Sequence, residues 1–337
     1  MSAAATPPLV LTMGEPAGIG AEIALMAWRA RGPDTPPFFM IDNPPRLADL
    51  CRRLDWAVPL ATLADPADTP ALFGDALPVL PIELPTPPRP GALDAANAGA
   101  VIEAIDRAID LVGTGAAAAL VTNPIHKHIL LAAGFRHPGH TDYLAERAGR
   151  PGQAVMMLAA PALRVVPVTV HVPLRRVAGI LTADMIHHHG RVTAEALKRD
   201  FGIAAPRLAV AGLNPHAGED GALGSEEVEI IAPAIARLRE DGLAVEGPVA
   251  ADSLFHDGAR RRYDAALCMY HDQALIPLKT LDFDGGVNVT LGLPFVRTSP
   301  DHGTALSIAG TGTANPRSLI EALKLAASMA AARANQG

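Results

Sequence analysis

Cysteine is nearly missing from this chain: 337 residues contain two, Cys51 and Cys268, far apart in sequence. That excludes a disulfide framework and any CxxC metal or redox site, and it fits a reducing cytoplasm. Basic charge is not in excess either. Lys and Arg number 28 against 35 Asp and Glu, for a net charge of −7 and a pI near 5.9. With no basic footprint for nucleic acid, any anionic ligand must be held by a few local cations, which favours a small substrate. No run approaches the roughly 18 uninterrupted apolar residues of a membrane span, and MSAAATPPLVLTMGEPAG lacks a basic segment leading into a sustained apolar core. The expectation is a soluble, unsecreted, cytoplasmic protein. A GxGxxG fingerprint is missing too, because the first glycines fall at 14, 18 and 20.

What is present is apolar. Hydrophobic residues make up 49% of the chain and charged ones 19%, enough for a large core, and the length suggests roughly two domains of about 150 residues each. Pro8 to Met13 reads as a strand, GEPAGIG as a glycine loop, and Ala21 to Arg31 as a helix. Such a loop can present N–H groups to an anion at a helix N-terminus, or it can be simply a tight turn. Phe38 to Ile41 reads as a strand and Arg46 to Leu54 as a helix. Proline limits regular structure from Pro59 to Pro90, where short strands around Val79 to Ile82 are expected. Asp94 to Val112 carries Ala98, Val101, Ile102, Ile105, Ile109 and Val112 on one side, the pattern of an amphipathic helix. It leads into a buried strand, Ala116 to Val121, followed by the polar run Thr122 to Lys127. In Gly139-His140-Thr141-Asp142, capping of the next helix accounts for Thr141 or Asp142 but not for His140.

Further along, one arrangement recurs three times. Leu163 to Val170 ends at His171, Arg207 to Leu213 ends near His216, and Ala265 to Tyr270 ends at His271. Helices are expected between them over Ala183 to Lys198 and over Glu226 to Asp241, the latter capped by Ser225. Strands alternating with helices imply a mostly parallel sheet, in which ligands collect at the carboxyl ends of strands. Three histidines at equivalent positions can then converge on a metal, although each alone is equally a loop histidine bonded to backbone or water. His187, His188 and His189 splay around one helix and read as a solvated face. After His271 comes a dense polar set, Asp272, Gln273, Lys279, Asn288, Arg297, Asp301 and His302, interleaved with glycine and apolar residues. The last segment, Arg317 to Ala332, reads as an amphipathic helix.

These segments together resemble a known family. GEPAGIG at 14–20, GHTDYL at 139–144, VHVPL at 170–174, GLNPHAGE at 212–219, AADSLF at 250–255, MYHDQ at 269–273 and GVNVTLGLPFVRTSPDHGTA at 286–305 occur in the order seen in the PdxA family of 4-hydroxythreonine-4-phosphate dehydrogenases. Asp142 stands where glutamate is common, and Ser253 where threonine is. The resemblance implies an α/β fold of two α/β/α domains with mostly parallel sheets, similar to isocitrate and isopropylmalate dehydrogenases. The domains are expected over 1–135 plus 300–337 and over 136–299. It also implies a homodimer with an active site completed by the partner subunit. One divalent metal is expected on His171, His216 and His271, one of the three coming from the other chain. Substrate contacts carry over to His140, Thr141, Lys279, Asn288 and Arg297.

The implied reaction is NAD- or NADP-dependent oxidation of 4-phosphooxy-L-threonine at C3, with decarboxylation of the 3-oxo acid to 3-amino-2-oxopropyl phosphate. A cation suits both steps, since it makes the hydroxyl more acidic and later polarises the carbonyl. Zinc, cobalt and magnesium are the candidates, with nitrogen donors favouring the first two. Lys279 and Arg297 are the cations expected at phosphate and carboxylate; structural ion pairs with Asp282, Asp284 or Asp301 are the alternative. Lys279, Asp252 and His140 are the catalytic candidates, Asp252 either orienting a metal ligand or assisting proton transfer. Other readings of the same residues are the same chemistry on a 4-phospho-threonate or 4-phospho-erythronate, a metal-dependent hydrolase or lyase, and a phosphate-sensing protein.

Overall fold

The computed structural model describes residues 6–137 and 139–336. The chain divides into two compact units. One takes the chain up to Ala154 together with Leu293–Ala331, and the other takes Val155–Gly292 and the chain from Ala332.

In the first unit, continuous apolar runs make buried strands, as expected when both faces of a parallel sheet are covered. β1 (Leu9–Thr12) leads through the glycine loop into α1 (Gly20–Arg29), which buries Ile23, Leu25 and Trp28. β2 (Phe38–Asp42) leads into α2 (Pro44–Leu54), whose start is set by Asn43: its side chain accepts from Arg46 N, and prolines occupy the first turn. The proline-rich stretch still yields β3 (Leu60–Thr62), α3 (Thr69–Leu72) and β4 (Leu77–Pro81). The amphipathic helix α4 (Ala98–Gly113) precedes β5 (Ala119–Thr122), and α5 (Lys127–Ala132) and α6 (His140–Arg147) follow. Val101, Ala104, Ile105 and Ala108 of α4 pack with Val10, Phe39 and Leu120 in one core cluster. Each large side chain buried there contributes roughly 1.5–3 kcal/mol.

The second unit opens with a hairpin that the sequence pattern did not reveal. β6 (Val155–Ala160) and β7 (Leu163–Thr169) are antiparallel and joined by a two-residue turn. Then come α7 (Leu174–Ile180), α8 (Ala183–Arg199), β8 (Arg207–Ala211), α9 (Ala232–Glu240), β9 (Ala244–Val249), α10 (Asp257–Arg260), β10 (Ala265–Tyr270), α11 (His271–Leu281) and β11 (Val287–Leu291). The order is β11-β6-β7-β10-β8-β9. β11 and β6 are antiparallel, while the pairs from β7 through β9 are parallel. The sheet here is therefore parallel from β7 to β9, with two antiparallel pairs on the β11–β6–β7 side. The helix expected from Glu226 starts as a π turn, Glu227–Ile231, with no side-chain cap from Ser225.

The chain returns to the first unit in β12 (Arg297–Pro300), which pairs in parallel with β5, and α12 (Arg317–Ala334). The first unit's order is β3-β4-β2-β1-β5-β12, and these neighbours all pair in parallel. The division at 154/155 and 292/293 differs from the 135/136 and 299/300 expected from sequence. Two contacts explain the shift. Tyr143 and Arg147 of α6 both donate to Asp106 of α4, at 2.5 and 2.9 Å, so α6 belongs with the first core. The pairing of Arg297 with Leu120 draws the 293–300 segment in as well. His140, Thr141 and Arg297 thus lie in the first unit.

Candidate functional site

At the carboxyl end of β5, beside the first residue of β12, the first unit gathers cations and a histidine. Arg297 is 3% exposed, and its Nη2 donates to Thr122 Oγ1 at 2.6 Å. Burial pulls this guanidinium down to about 10, so it remains charged at neutral pH. His140 opens α6. Burial first, then the charges of Arg297 and Lys127, hold its pKa well below the ordinary value, leaving a neutral ring at pH 7. Its Nε2 is buried without a hydrogen-bond partner. Lys127 reaches towards the same corner, for a Cβ on Gly139 would sit 3.1 Å from its Nζ. Thr141 and Asp142 lie inside α6, and the capping position is Gly139, so neither side chain caps the helix. Two charged groups, a neutral imidazole and a hydroxyl in one partly dry corner suit recognition of a phosphate or carboxylate.

The GEPAGIG loop is a closely packed turn in which several amides already have partners. The amides of Glu15, Gly18 and Ile19 donate to the carbonyls of Pro124, Glu15 and Thr304, and that of Ala17 donates to Glu15 Oε1. Gly14 has φ +69°, and a Cβ there would lie 2.7 Å from both Asn123 Cβ and the Pro124 carbonyl. Asn123 in turn donates to the carbonyls of Thr12 and Gly20 at 3.0 and 3.3 Å. The glycine spacing thus serves close approach of the β1 and β5 ends. Glu15 is buried, and desolvation raises its carboxyl pKa against the opposing pull of the Ala17 N–H, His126 and Arg46.

In the second unit, β7, β10 and β8 are adjacent and parallel, so the residues following each lie along one sheet edge. His171 and His271 meet there, with ring centroids 5.7 Å apart. His171 has φ +51°, a conformation that costs a non-glycine residue on the order of 1 kcal/mol or more and so marks a constrained position. His271 Nδ1 lies 2.7 Å from Asp272 Oδ1. The carboxylate can only accept, so the proton sits on Nδ1 and Nε2 is left as a lone-pair donor. The pair borders a cavity of about 190 Å³ lined also by Val172, Leu174, Val177, Tyr270 and Asp272. Two imidazoles, one oriented by a carboxylate, fit a nitrogen-preferring divalent cation. His216 does not join them within the chain: among the described residues no group of three His, Cys, Asp or Glu could hold a metal ion. It is exposed on a 3-10 segment, Pro215–Gly221, where residues 216–220 all have positive φ.

Lys279 lies on α11 with its Nζ 5.3 Å from the centre of the Phe283 ring. Asn288 is on β11, half-buried, and its Oδ1 has no hydrogen-bond partner. Asp252 is exposed in the Ala251–Ser253 turn; the carboxylate that touches a candidate ligand is Asp272. The three consecutive histidines are half-buried rather than solvated: His187 pairs with Asp241 at 2.8 Å, and His189 Nδ1 donates to the Met185 carbonyl at 2.7 Å. Sequence alone assigns no site role to Thr122 or Lys127, and it places Asp272 in the polar set after His271 without pairing the two. The signal for the first two was the polar run directly after a buried strand, and for Asp272 its place beside His271.

The chain is similar to known proteins in sequence and in fold. A family sequence profile described as "Pyridoxal phosphate biosynthetic protein PdxA" matches residues 37–326. The 4-hydroxythreonine-4-phosphate dehydrogenase of Methylorubrum populi is 54% identical over 337 residues, covering 97% of this chain and 96% of the relative. That of Bradyrhizobium diazoefficiens is 52% identical, covering 98% and 99%. The crystal structure of 4-hydroxythreonine-4-phosphate dehydrogenase from Klebsiella pneumoniae superposes with a TM-score of 0.87 at 37% identity, covering 96% of this chain and 99% of the other.

Proposed function

The chain belongs to the PdxA family of pyridoxal phosphate biosynthetic proteins, and from that membership we propose that it is an NAD(P)-dependent dehydrogenase of 4-phosphooxy-L-threonine. The product, 2-amino-3-oxo-4-phosphooxybutanoate, decarboxylates to 3-amino-2-oxopropyl phosphate. The observation that carries this reading is the His171–His271 pair at the ends of adjacent parallel strands, with Asp272 behind one ring. When bound, a divalent cation supplies a Lewis acid for the secondary alcohol and then for the ketone, while the nicotinamide ring accepts the hydride. Zinc or cobalt suits the imidazole donors better than magnesium.

The chain's own groups bind and orient the substrate. Arg297 and Lys127 supply fixed charge for a phosphate or carboxylate, and the neutral His140 adds a hydrogen bond without adding charge. Thr141, Lys279 and Asn288 complete the contacts, the unpartnered Asn288 Oδ1 being suited to the substrate's ammonium or hydroxyl hydrogen. Lys279 and Asp252 are the candidates for moving a proton. His216 serves the metal site of a second copy, which explains why it lies apart from His171 and His271 in one chain. Exposed Leu174, Ile276, Leu281 and Phe283, on or beside the helices that follow the two histidines, favour such a homodimer. The two-unit architecture is taken as similar to that of isocitrate and isopropylmalate dehydrogenases.

The purified protein, given 4-phosphooxy-threonine, either nicotinamide cofactor and Zn²⁺, Co²⁺ or Mg²⁺, is expected to form reduced nicotinamide, and EDTA is expected to stop it. Absence of reduced nicotinamide under every combination would overturn the proposal. Turnover confined to the hydroxy-acid analogues 4-phospho-threonate or 4-phospho-erythronate would move the substrate but keep the chemistry.

A further inference from the structure

We propose that Glu227 is the positioning residue for His216: its buried carboxylate clasps the loop that carries the histidine and sets its register. The inference rests on the metal reading above and adds to it a residue that acts only through the loop. Glu227 is 3% exposed, and among the described residues the hydrogen bonds to its carboxylate come from that loop. Oε1 accepts from the backbone N–H groups of Leu213 and Asn214, both at 2.7 Å, and Oε2 accepts from Asn214 Nδ2 at 2.9 Å. His216 follows two residues later.

The loop also wraps the carboxylate sterically. A Cβ on Gly212 would come 3.1 Å from Oε1, and one on Gly218 would come 2.6 Å from Oε2. Both glycines of the GLNPHAG segment therefore leave room for Glu227. Upstream, the Gly212 N–H donates to Val249, and its carbonyl accepts from Gln273 Nε2 at 2.7 Å. Downstream, His216, Ala217, Glu219 and Asp220 are all left-handed, a run that persists only where the surroundings over-determine it. The carboxylate lies between these two stretches.

A carboxylate suits this place because three donors face it. A glutamine would turn an NH₂ group towards the Asn214 NH₂ group while keeping the two backbone bonds. Glu227 also begins the π turn. Neighbouring residues on an α-helix project about 100° apart, yet Glu226 and Glu227 both reach Asn214 Nδ2, at 2.8 and 2.9 Å. Wide turns of this type are concentrated at functional sites.

The test uses the full-length protein, Co²⁺ as probe, and the variants Glu227→Ala, Glu227→Gln and His216→Ala. Glu227→Ala is expected to bind Co²⁺ roughly tenfold or more weakly, with a changed visible spectrum and faster amide exchange at Leu213 and Asn214. Its kcat should return to within a few-fold of the parent's at saturating Co²⁺. Glu227→Gln should fall between Glu227→Ala and the parent. Parental Co²⁺ affinity and spectrum in Glu227→Ala overturn the proposal; if that variant does not fold, parental affinity in Glu227→Gln does so. His216→Ala separates the two levels: if it binds Co²⁺ as the parent does, the metal reading itself falls, whereas if it alone loses Co²⁺, only the role of Glu227 falls.

Discussion

Arg297 and Thr122 are 175 residues apart in sequence and 2.6 Å apart in the fold, the guanidinium donating to the hydroxyl where β12 lies beside β5. The contact helps fix the direction of a buried charge. Thr122→Val keeps the shape but leaves that N–H without its acceptor. A stability loss of about 1 kcal/mol is expected, with a several-fold rise in KM for the phosphorylated substrate and little change in kcat. Arg297→Lys should cost more, because an ammonium lacks the planar fork and cannot hold Thr122 and a substrate oxyanion in the same geometry. Steady-state kinetics with urea melts of both variants check this; an unchanged KM in each would remove Arg297 from the substrate site.

Asp272 holds His271 through Nδ1, which leaves Nε2 as the ring's lone-pair nitrogen. Asp272→Asn can still meet the ring through an amide, but it no longer favours the proton on Nδ1. Metal affinity is expected to fall on the order of tenfold, and activity should be recovered by excess cation. His271→Ala should not be rescued in that way. Equilibrium dialysis against Zn²⁺ after EDTA treatment separates the outcomes, and parental affinity in Asp272→Asn would show that the contact is incidental.

The adjacency of two candidate ligands was legible because they follow strands. Buried apolar runs ending in histidine placed His171 and His271 at equivalent edges, and the sheet order brings those edges side by side. What sequence could not convey was position across the chain. The domain break expected before His140 failed because the contacts of Tyr143 and Arg147 with Asp106 bridge about forty residues, beyond any local pattern. The β6–β7 hairpin was missed because Val155–Ala160 is apolar throughout, without the alternation that marks a half-exposed strand. The histidine triplet reads as solvated in sequence because its partners, Asp241 and the Met185 carbonyl, become visible only once the chain has folded.

Gly14 tests whether the GEPAGIG loop is a packing device. Alanine there would carry a Cβ to 2.7 Å from Asn123 Cβ and the Pro124 carbonyl, on a backbone with φ +69°. Neither neighbour is the end of a flexible side chain, so the clash and the strained conformation add. Gly14→Ala is expected to destabilise the first unit by several kcal/mol. Its KM, measured below the melting temperature, should stay within a few-fold of the parent's. A stable variant that had lost cofactor binding would instead restore the loop as a ligand site.

His189 offers a test of pH dependence in the second unit. Burial carries its pKa down to about 4, although its bond to the Met185 carbonyl opposes the shift and His188 adds to it. In the unfolded chain the ring titrates near its ordinary value of about 6.5. As pH falls below that value the unfolded state takes up a proton that the folded state refuses, so the stabilisation present above about 6.5 is lost progressively down to about 4. At 1.36 kcal/mol per pH unit the whole window is worth roughly 3 kcal/mol. His140 in the first unit is displaced in the same direction and adds to the same limb. His189→Gln, whose amide can still donate to Met185, should therefore unfold in urea with a shallower acid slope than the parent between pH 6.5 and 4.5. Coincident slopes would mean that the His189 ring takes up its proton as readily in the folded protein as in the unfolded one.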